Sequence, residues 1–564
     1  MAQIRLSNFR RFESLDSLYL GTINIFVGKN NAGKSTVVKA IMLALDNIRS
    51  LRWNSLPSEM GMHSMQYAPK PTFRFDANGF HNLHIGTFER AKCNWLDDTR
   101  IIISLEYEGY EFEIIIAGLA GHGQVSMPIE RLTISDTQKG RYTFDFRLNT
   151  MAFRLGRDIS ELDIRKLEKA LWQTEDEIPF TERSVEIALD KGDAIKVAEY
   201  QQHLKKLKAQ RLSLLKEMKK LEENSNVTEA LFDLSYFHES IGENVLVQYL
   251  RTFIRLADSN IVQDVEAKNP LTPVQKLKKN SLEYKEELAN RQFVSENRDV
   301  IEAAAQGLEK LLNAVNVDYI QAHAATQKLI INADDDDINS RVINEFYQEN
   351  IQSGEMADRF VKKWLKEFEI GNAVIIESLD GEGYYVKIDT DEDEIHLADM
   401  GMGSIQLVIL LLRLATIGHR SEMTFQPWWV IIEEPEQNLH PKVQSMLADL
   451  FEDFTQSFCD PYMHTLIVET HSEYLVRRTQ VMAAKIADEF GDDEETFSEM
   501  NPFSVFYFPT EVDKQPYDMH FLPSGRFKEP FGEGFYDKAG SLALELYSYE
   551  KDDETSKEFN WDNL

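Results

Sequence analysis

The sequence predicts an α/β fold that combines a nucleotide-binding core, an antiparallel β layer and a large helical insertion. Three observations support this prediction. A G-x-x-x-x-G-K-[ST] motif begins at Gly28, between an apolar run and an amphipathic run. The helical period disappears between about residues 50 and 150, where strand-like segments follow one another, and it dominates from about 157 to 330. In the C-terminal half, α/β order returns.

The glycine-rich motif has the spacing and the context of a phosphate-binding loop. Residues 23–27 predict a buried strand and residues 37–45 a helix with one apolar face. Glycines let successive N–H groups turn towards phosphate oxygens, and the helix N-terminus adds a favourable partial charge. Lys34 would reach the β- and γ-phosphates, and the Ser35 hydroxyl would ligate Mg²⁺.

A glycine-rich turn without a ligand is the alternative, but the complete motif in a strand–loop–helix context favours a nucleoside triphosphate. The residues expected to bind it are Gly28, Asn30, Asn31, Ala32, Gly33, Lys34, Ser35 and Thr36.

Composition limits the class of protein. The 564 residues should contain at least two structural units, and the net charge of −33 argues against coating nucleic acid or an anionic membrane by bulk charge. With only Cys93 and Cys459, the chain has no disulfide framework and no cysteine metal site. The N-terminus lacks the pattern of a signal peptide, and the most apolar run, 405–412, is shorter than the roughly 18 residues of a membrane span. We expect a soluble, cytoplasmic protein.

The elements follow from the pattern along the chain. Residues 1–27 alternate as strands do, and residues 100–107 and 110–116 predict a hairpin around Gly109. Further predicted strands cover 141–147, 373–376, 384–388, 428–432 and 465–468. The acidic run 334–337 lacks the spacing of a calcium loop and predicts a solvated turn.

The helical segment contains a seam of just over three heptads between residues 197 and 221, interrupted by Arg211. An ordinary amphipathic helix and a short coiled-coil projection are equally compatible with a seam of this length. The other face, within residues 196–220, is basic. A solvated face is its usual meaning, and docking of nucleic acid or an acidic partner is the alternative. The basic residues are Lys205, Lys206, Lys208, Arg211, Lys216, Lys219 and Lys220.

Two carboxylates follow the apolar run 429–432. At the tip of this predicted strand, Glu433 is suited to hold the Mg²⁺ shell, and Glu434 to orient and deprotonate the attacking water. Charges at the end of a buried strand are costly without such a role, although acids that begin a loop are common.

Three weaker signals accompany this pair. His471 follows the apolar run 465–468 and could contact the γ-phosphate. Gly401, Gly403 and Ser404 precede a long apolar helix, where free N–H groups and a hydroxyl can form an anion site. Arg10, beside the first strand, could reach phosphate or be solvated.

The motifs together resemble an ABC-type ATPase of the SMC (structural maintenance of chromosomes) and OLD (overcoming lysogenization defect) group. The matching segments, in order, are I-R-L-S-N-F-R-R-F, G-K-N-N-A-G-K-S-T, D-M-G-M-G-S-I-Q, I-I-E-E-P-E-Q-N-L-H-P and V-E-T-H-S-E-Y-L-V-R-R. The resemblance covers roughly residues 1–48 and 317–540 and implies one ABC-type head split by the helical insertion. It makes 401–404 the signature motif, 438–441 the D-loop and His471 the switch histidine.

The resemblance implies ATP and Mg²⁺ as cofactors and a homodimer or higher oligomer, because such heads bind ATP between the phosphate loop of one subunit and the signature motif of another. Similar proteins are often ATPase subunits of anti-phage defence systems, as in Septu (including retron-linked Septu) and PARIS. A separate nuclease or toxin subunit accompanies them. An SMC-like DNA-repair or chromosome-associated ATPase is the alternative, and a transporter subunit is disfavoured.

Two departures from the group matter. L-A-D-M-G-M-G-S replaces the transporter signature L-S-G-G-Q, and the chain lacks the Toprim pattern of OLD nucleases and any H-N-H cluster. We therefore expect no nuclease site on this chain. Gln66 is only a candidate for the Mg²⁺-sensing glutamine.

We predict four domains. These are an N-terminal lobe of the head (1–155), the helical and partly coiled-coil insertion (156–330), a C-terminal lobe of the head (331–483), and a small domain with an acidic tail (484–564).

Overall fold

The structure is a computed structural model. It describes residues 2–50, 53–54, 70–76, 85–94, 96, 99–107, 109–118, 124–136, 140–147, 150–156, 160–190, 194–223, 228–233, 244–258, 282–314, 316–321, 328–332, 335, 337–380, 382–458, 463–491, 497, 500–511, 514–532, 536, 542 and 544–546.

The strands are β1 (Ala2–Phe9), β2 (Phe12–Leu20), β3 (Ile23–Gly28), β4 (Trp53–Asn54), β5 (Lys70–Arg74), β6 (Arg100–Tyr107), β7 (Tyr110–Ala117), β8 (Ser126–Asp136), β9 (Gly140–Phe146), β10 (Thr150–Leu155), β11 (Thr228–Asp233), β12 (Asn316–Ile320), β13 (Ile331–Asn332), β14 (Ala373–Leu379), β15 (Gly383–Asp389), β16 (Glu394–His396), β17 (Trp428–Glu433), β18 (Thr465–Glu469), β19 (Phe503–Phe508) and β20 (Tyr517–Asp518).

The helices are α1 (Lys34–Ser50), α2 (Phe88–Ala91), α3 (Glu161–Asp190), α4 (Ala194–Glu223), α5 (Val245–Asp258), α6 (Leu282–Glu296), α7 (Arg298–Ala314), α8 (Ile338–Gln348), α9 (Met356–Glu367), α10 (Met402–Thr424), α11 (Pro441–Ser457) and α12 (Glu473–Phe490).

The chain forms two compact units. One contains residues 18–42 and 314–564, and the other contains residues 2–17 and 43–313, so that the boundaries fall within β2 and α1. The four domains predicted from the sequence follow a different division, which stays a prediction.

The first unit is organised by a mixed sheet with the strand order β12-β17-β18-β3-β19-β20. The first five strands are parallel, and β20 pairs with β19 in the antiparallel direction. The apolar residues at the centres of β3, β17 and β18 are buried, as expected for strands covered on both faces. This arrangement confirms the predicted strands at 23–27, 428–432 and 465–468.

Helix α10 passes through the core of this unit, packed against α8 and α9. Within the described residues it is the one helix long and apolar enough to cross a membrane, but 78% of its most apolar 18-residue window is buried inside the structure. This burial is what a core helix shows, and it agrees with the buried helix predicted at 405–412.

A smaller sheet in the same unit has the order β13-β15-β14, with β16 beside β15. Its strands β14 and β15 confirm the predictions for 373–376 and 384–388. In the acidic run, Asp337 caps α8 by accepting the N–H groups of Asn339 and Ser340, and it pairs with Lys328 at 2.5 Å. Asp337 is therefore a helix cap rather than part of a calcium loop.

The second unit contains an antiparallel sheet with the order β11-β10-β9-β8-β7-β6-β1-β2, extended by β5 beside β8 and β4 beside β5. It confirms the predicted antiparallel layer and the hairpin, in which Tyr107 pairs with Tyr110. Strand β11 lies within the stretch of about 157–330 in which the helical period dominates. There, Ala230 and Phe232 are buried while Leu231 is exposed, a two-residue period that completes the sheet.

The predicted heptad seam lies in α4, which packs against α3. The seam positions Val197, Leu204, Leu207 and Leu214 are less exposed than their neighbours, so the seam faces α3. The same pairing neutralises part of the basic face. Lys208 and Arg211 lie 2.7 and 2.6 Å from Glu182 and Glu175 of α3.

Candidate functional site

The carboxyl ends of three parallel strands bring the predicted site residues to one edge of the sheet. Strand β3 leads into the phosphate loop, β17 ends at Glu433, and β18 ends at Glu469. In the register of the sheet, Glu433 lies beside Glu469, and Glu469 lies beside Phe26 of β3. The loop and the two carboxylates therefore occupy neighbouring positions.

The loop adopts a backbone that glycine favours. A Cβ atom at Gly28 would lie 2.5 Å from the carbonyl oxygen of Phe508 on β19, and the φ of Gly28 is +149°. Gly33 and Asn31 also have positive φ values, 108° and 62°. Of the other loop residues, Ala32 and Thr36 are buried and Asn30 is exposed.

The Lys34 side chain is buried inside the loop. Its Nζ atom donates to the carbonyl oxygens of Gly28 at 2.8 Å and Lys29 at 3.2 Å, and it lies 3.4 Å from Nε2 of His471. Burial lowers the pKa of the Lys34 ammonium below its ordinary value, although three neighbouring glutamates oppose this effect. The ammonium therefore lies against the backbone of the loop, and its contact with phosphate stays a prediction.

A second carboxylate contacts the predicted magnesium ligand. The hydroxyl of Ser35 donates to Oε2 of Glu469 at 2.8 Å, and Glu469 is almost fully buried. Burial, together with repulsion from Glu433, raises the pKa of Glu469 to about 7, while the Ser35 hydrogen bond and Lys34 act in the opposite direction.

Glu434, the predicted catalytic base, has a left-handed backbone with a φ of 45°. Its N–H donates to the carbonyl oxygen of Glu469 at 2.8 Å, and its carboxylate accepts a hydrogen bond from the Gln437 amide. Its Oε1 atom lies 3.7 Å from Nε2 of His471. Non-glycine residues with positive φ are uncommon and concentrate at functional sites.

His471 lies near both the predicted base, Glu434, and the predicted phosphate-binding lysine, Lys34. Its backbone N–H donates to Oε1 of the buried Glu436 at 2.6 Å, which fixes the turn after β18. Burial and the charge of Lys34 lower the pKa of the His471 imidazole, and Glu434 opposes them. The imidazole is therefore mainly neutral at physiological pH, with one ring nitrogen as a hydrogen-bond donor and the other as an acceptor.

The predicted signature residues lie at the start of α10. Gly401 is the N-cap and is exposed, whereas Gly403 and Ser404 lie in the first turn. A Cβ atom at Gly403 would lie 2.6 Å from the carbonyl oxygen of Asn438, and a Cβ atom at Gly401 would meet nothing within 4 Å. Gly403 thus permits close contact with the predicted D-loop of its own chain, a packing role that the sequence did not indicate.

The sequence also predicts Arg10 and Gln66 as site residues. Arg10 forms the turn between β1 and β2, in the other unit, where its N–H donates to the carbonyl oxygen of Ala91 at 2.6 Å. Burial, and secondarily Arg90, lower the pKa of its guanidinium. Contact of Arg10 with phosphate stays a prediction, and Gln66 lies outside the described residues.

Sequence reasoning missed three residues at the edge. Glu469 carried a detectable signal, since it ends an apolar strand as Glu433 does. Tyr319, whose hydroxyl donates to Oε2 of Glu433 at 2.6 Å, lies in a segment predicted as helical insertion, and β12 is instead an edge strand of the parallel sheet. No sequence pattern distinguished Gln437, whose side-chain amide donates to the Glu434 carboxylate.

The donor set fits a magnesium ion bound together with nucleotide phosphates. Among the described residues, no group of three or more His, Cys, Asp or Glu side chains is placed to hold a metal ion alone. Mg²⁺ keeps several waters and takes one or two carboxylates plus substrate phosphates. Ser35 and Glu433, with Glu469 behind Ser35, supply oxygen donors of that kind.

The chain matches the model of the AAA ATPase domain family over residues 1–476. It belongs to this family. An AAA ATPase domain agrees with the phosphate loop, the paired carboxylates and the parallel sheet described above, and it makes the chain a nucleotide-binding ATPase. None of the curated proteins compared with the chain matches it.

Solved structures similar to this ATPase include heads of SMC proteins. One is the Smc head domain with an extended coiled coil bound to the C-terminal domain of ScpA from Pyrococcus furiosus, with 12% identity, a TM-score of 0.30, and coverage of 97% of this chain and 100% of that chain.

Another is SmcHead bound to the C-winged helix domain of ScpA, with 10% identity, a TM-score of 0.31, and coverage of 92% and 96%. The SMC head domain from Thermotoga maritima has 8% identity, a TM-score of 0.29, and coverage of 92% and 98%.

Replacing Glu469 with glutamine tests the buried carboxylate. With a folded pKa of about 7 against 4.5 in the unfolded chain, the folded protein holds a proton that the unfolded chain releases, so stability falls as pH rises through this window. Glu469→Gln should raise the melting temperature of the nucleotide-free protein at pH 8 by about 2–5 °C, and much less at pH 5. Glu377→Gln, at an exposed site, is the control. A destabilised Glu469→Gln protein at pH 8 would contradict the assignment.

A matched pair of glycine substitutions tests the contact between α10 and the D-loop. Gly403→Ala should lower the unfolding free energy by roughly 1–3 kcal/mol, because its Cβ would collide with the Asn438 backbone. Gly401→Ala should cost less than about 1 kcal/mol, since its Cβ enters open space. Urea-induced unfolding without nucleotide measures both. Equal losses in the two variants would show that the close approach at Gly403 is unimportant.

Proposed function

We propose that this chain hydrolyses ATP to ADP and phosphate at the edge where β3, β17 and β18 end. The observation that carries the proposal is the convergence of Lys34, Ser35, Glu433, Glu434 and His471 at that edge. Each of these residue types matches a step that phosphoryl transfer requires.

Binding depends on the loop. Its backbone N–H groups and the Lys34 ammonium hold the β- and γ-phosphates, replacing the carbonyl contacts that Lys34 makes in this structure. Ser35 and Glu433 would hold Mg²⁺, which when bound neutralises charge on the phosphate oxygens.

Hydrolysis depends on Glu434. Its carboxylate orients a water molecule and accepts its proton while the water oxygen bonds to the γ-phosphorus. The bond from that phosphorus to the β–γ bridging oxygen breaks, and ADP leaves with the electron pair. In this proposal the neutral His471 imidazole donates a hydrogen bond to a γ-phosphate oxygen; the support is its position 3.7 Å from Glu434 and beside Lys34.

We further propose that the chain is the ATPase subunit of an anti-phage defence complex in the cytoplasm. In this proposal it assembles as a homo-oligomer, with Gly401, Gly403 and Ser404 of one copy closing on the nucleotide of another. The oligomer scaffolds a separate nuclease or toxin and regulates it according to the bound nucleotide. The support for it is the ordered set of motifs that resembles defence ATPases and the exposed position of Gly401 at the start of α10.

An SMC-like DNA-repair or chromosome-associated ATPase is the second candidate, favoured by the α3–α4 helical pair. Lys205, Lys206 and Lys216 of α4 are exposed and could contact nucleic acid. The ion pairs of Lys208 and Arg211 with α3 reduce the charge available for it.

The catalytic assignment predicts that one substitution blocks hydrolysis but not ATP binding, and that another blocks binding itself. Glu434→Gln should reduce steady-state ATP hydrolysis by about 100-fold or more while retaining ATP, because the base is lost and the phosphate contacts remain. Lys34→Ala should abolish productive binding. Phosphate release and retention of labelled ATP measure the two effects, with Glu377→Gln as the control. A rate of ATP hydrolysis in Glu434→Gln equal to that of the parent protein would contradict the assignment of Glu434 as the base.

Native mass spectrometry of the protein co-expressed with the products of its flanking genes, with and without ATP, tests the assembly. A stable complex with a nuclease-like polypeptide is expected, together with an oligomer that is favoured by ATP and strengthened by Glu434→Gln. A bare ATP-dependent dimer whose hydrolysis is stimulated by DNA would instead support the second candidate.

A further inference from the structure

Tyr319 lies in strand β12 and contacts Glu433, the predicted magnesium ligand. Strand β12 runs parallel to β17, with Tyr319 opposite Ile431 and therefore diagonal to Glu433 on the same face of the sheet. The Tyr319 hydroxyl donates to Oε2 of Glu433 at 2.6 Å, and only 9% of Tyr319 is exposed. The contact is short and partly buried.

This hydrogen bond constrains one of the two carboxylate oxygens of Glu433, Oε2. Among the described residues, no group donates a hydrogen bond to the other oxygen, Oε1. The phenolic hydroxyl of Tyr319 is the donor of this hydrogen bond, and the carboxylate can only accept it. Glu433 has several rotatable side-chain bonds, and holding its carboxylate in one orientation before a cation arrives removes part of the entropy cost of binding.

Strand β12 is itself fixed to α10. Next to Tyr319, Asp318 accepts two hydrogen bonds from the Arg413 guanidinium, at 2.5 and 2.6 Å, and both side chains are buried. Arg413 also donates to Glu345 of α8 at 2.5 Å. Although burial would raise the pKa of Asp318, the Arg413 charge lowers it below its usual range, so the pair stays ionised. A bidentate pair of this kind restricts movement of the strand that carries Tyr319.

We propose that Tyr319 is a positioning residue that holds the Glu433 carboxylate in the orientation in which it ligates Mg²⁺. The proposal rests on the assignment of Glu433 as a magnesium ligand in the proposed function. In this proposal Tyr319 has no direct role in binding nucleotide or in the chemistry. It acts through Glu433.

Tyr319→Phe tests the proposal because it removes only the hydroxyl. The measurement is binding of a non-hydrolysable ATP analogue to the full chain while Mg²⁺ is varied. The expected result is a half-saturating Mg²⁺ concentration about 10-fold higher than that of the parent protein, with nearly normal binding restored by excess Mg²⁺. Binding of the analogue without Mg²⁺ should be unchanged.

Tyr384→Phe is the matched control. It also removes a phenolic hydroxyl with a hydrogen bond of 2.6 Å, to Asn344, in the sheet formed by β13 to β16. Its Mg²⁺ dependence should equal that of the parent protein. Melting temperatures of the two variants separate an effect on the metal site from a general loss of stability.

Glu433→Gln distinguishes failure of this inference from failure of the proposed function. If Glu433→Gln loses its Mg²⁺ dependence while Tyr319→Phe behaves as the parent protein, the role of Tyr319 is overturned and the metal ligand stands. If Glu433→Gln leaves the Mg²⁺ dependence unchanged, the ligand assignment fails and the inference fails with it. Weaker binding by Tyr319→Phe that excess Mg²⁺ does not restore would also overturn the inference, because it would indicate a structural defect.

Discussion

The parallel alignment of β17, β18 and β3 is the constraint on which the site depends. Parallel strands present their carboxyl ends at the same edge, and in this register Glu433, Glu469 and the start of the phosphate loop fall side by side. Residues separated by some 400 positions thereby form one cluster of hydrogen bonds. A one-residue slip of β18 would turn Glu469 to the other face and separate it from Ser35.

At this edge lie several groups whose burial or backbone conformation is unfavourable for the free energy of folding. Lys34 and Glu469 are buried ionisable side chains, and Glu434 holds a left-handed backbone. Each is compensated locally: Lys34 by loop carbonyls, Glu469 by the Ser35 hydroxyl, and Glu434 by an N–H bond to the end of β18. Buried groups with perturbed pKa values and strained backbone that converge at one place are typical of functional sites.

Much of the site could be predicted from the sequence because its signals are local. A phosphate loop is defined within nine consecutive residues, and an apolar strand that ends in acids needs only its own neighbours to be noticed. Signals were weaker where a residue depends on a distant partner. Strand β11 lies in a predominantly helical stretch and is a strand because β10 offers it an edge. Gly403 leaves room for the carbonyl oxygen of Asn438, which lies 35 positions later in the chain.

By itself, the sequence determined the phosphate loop, the carboxylate pair Glu433–Glu434, the antiparallel layer and the heptad seam, since period and spacing are properties of a short stretch of chain. Only the tertiary structure decided that Glu469 receives the Ser35 hydroxyl, that Tyr319 faces Glu433, and that α3 neutralises part of the basic face of α4. Those outcomes depend on strand order, register and helix pairing. No local pattern encodes them, because each is fixed by the packing of segments that are far apart in the chain.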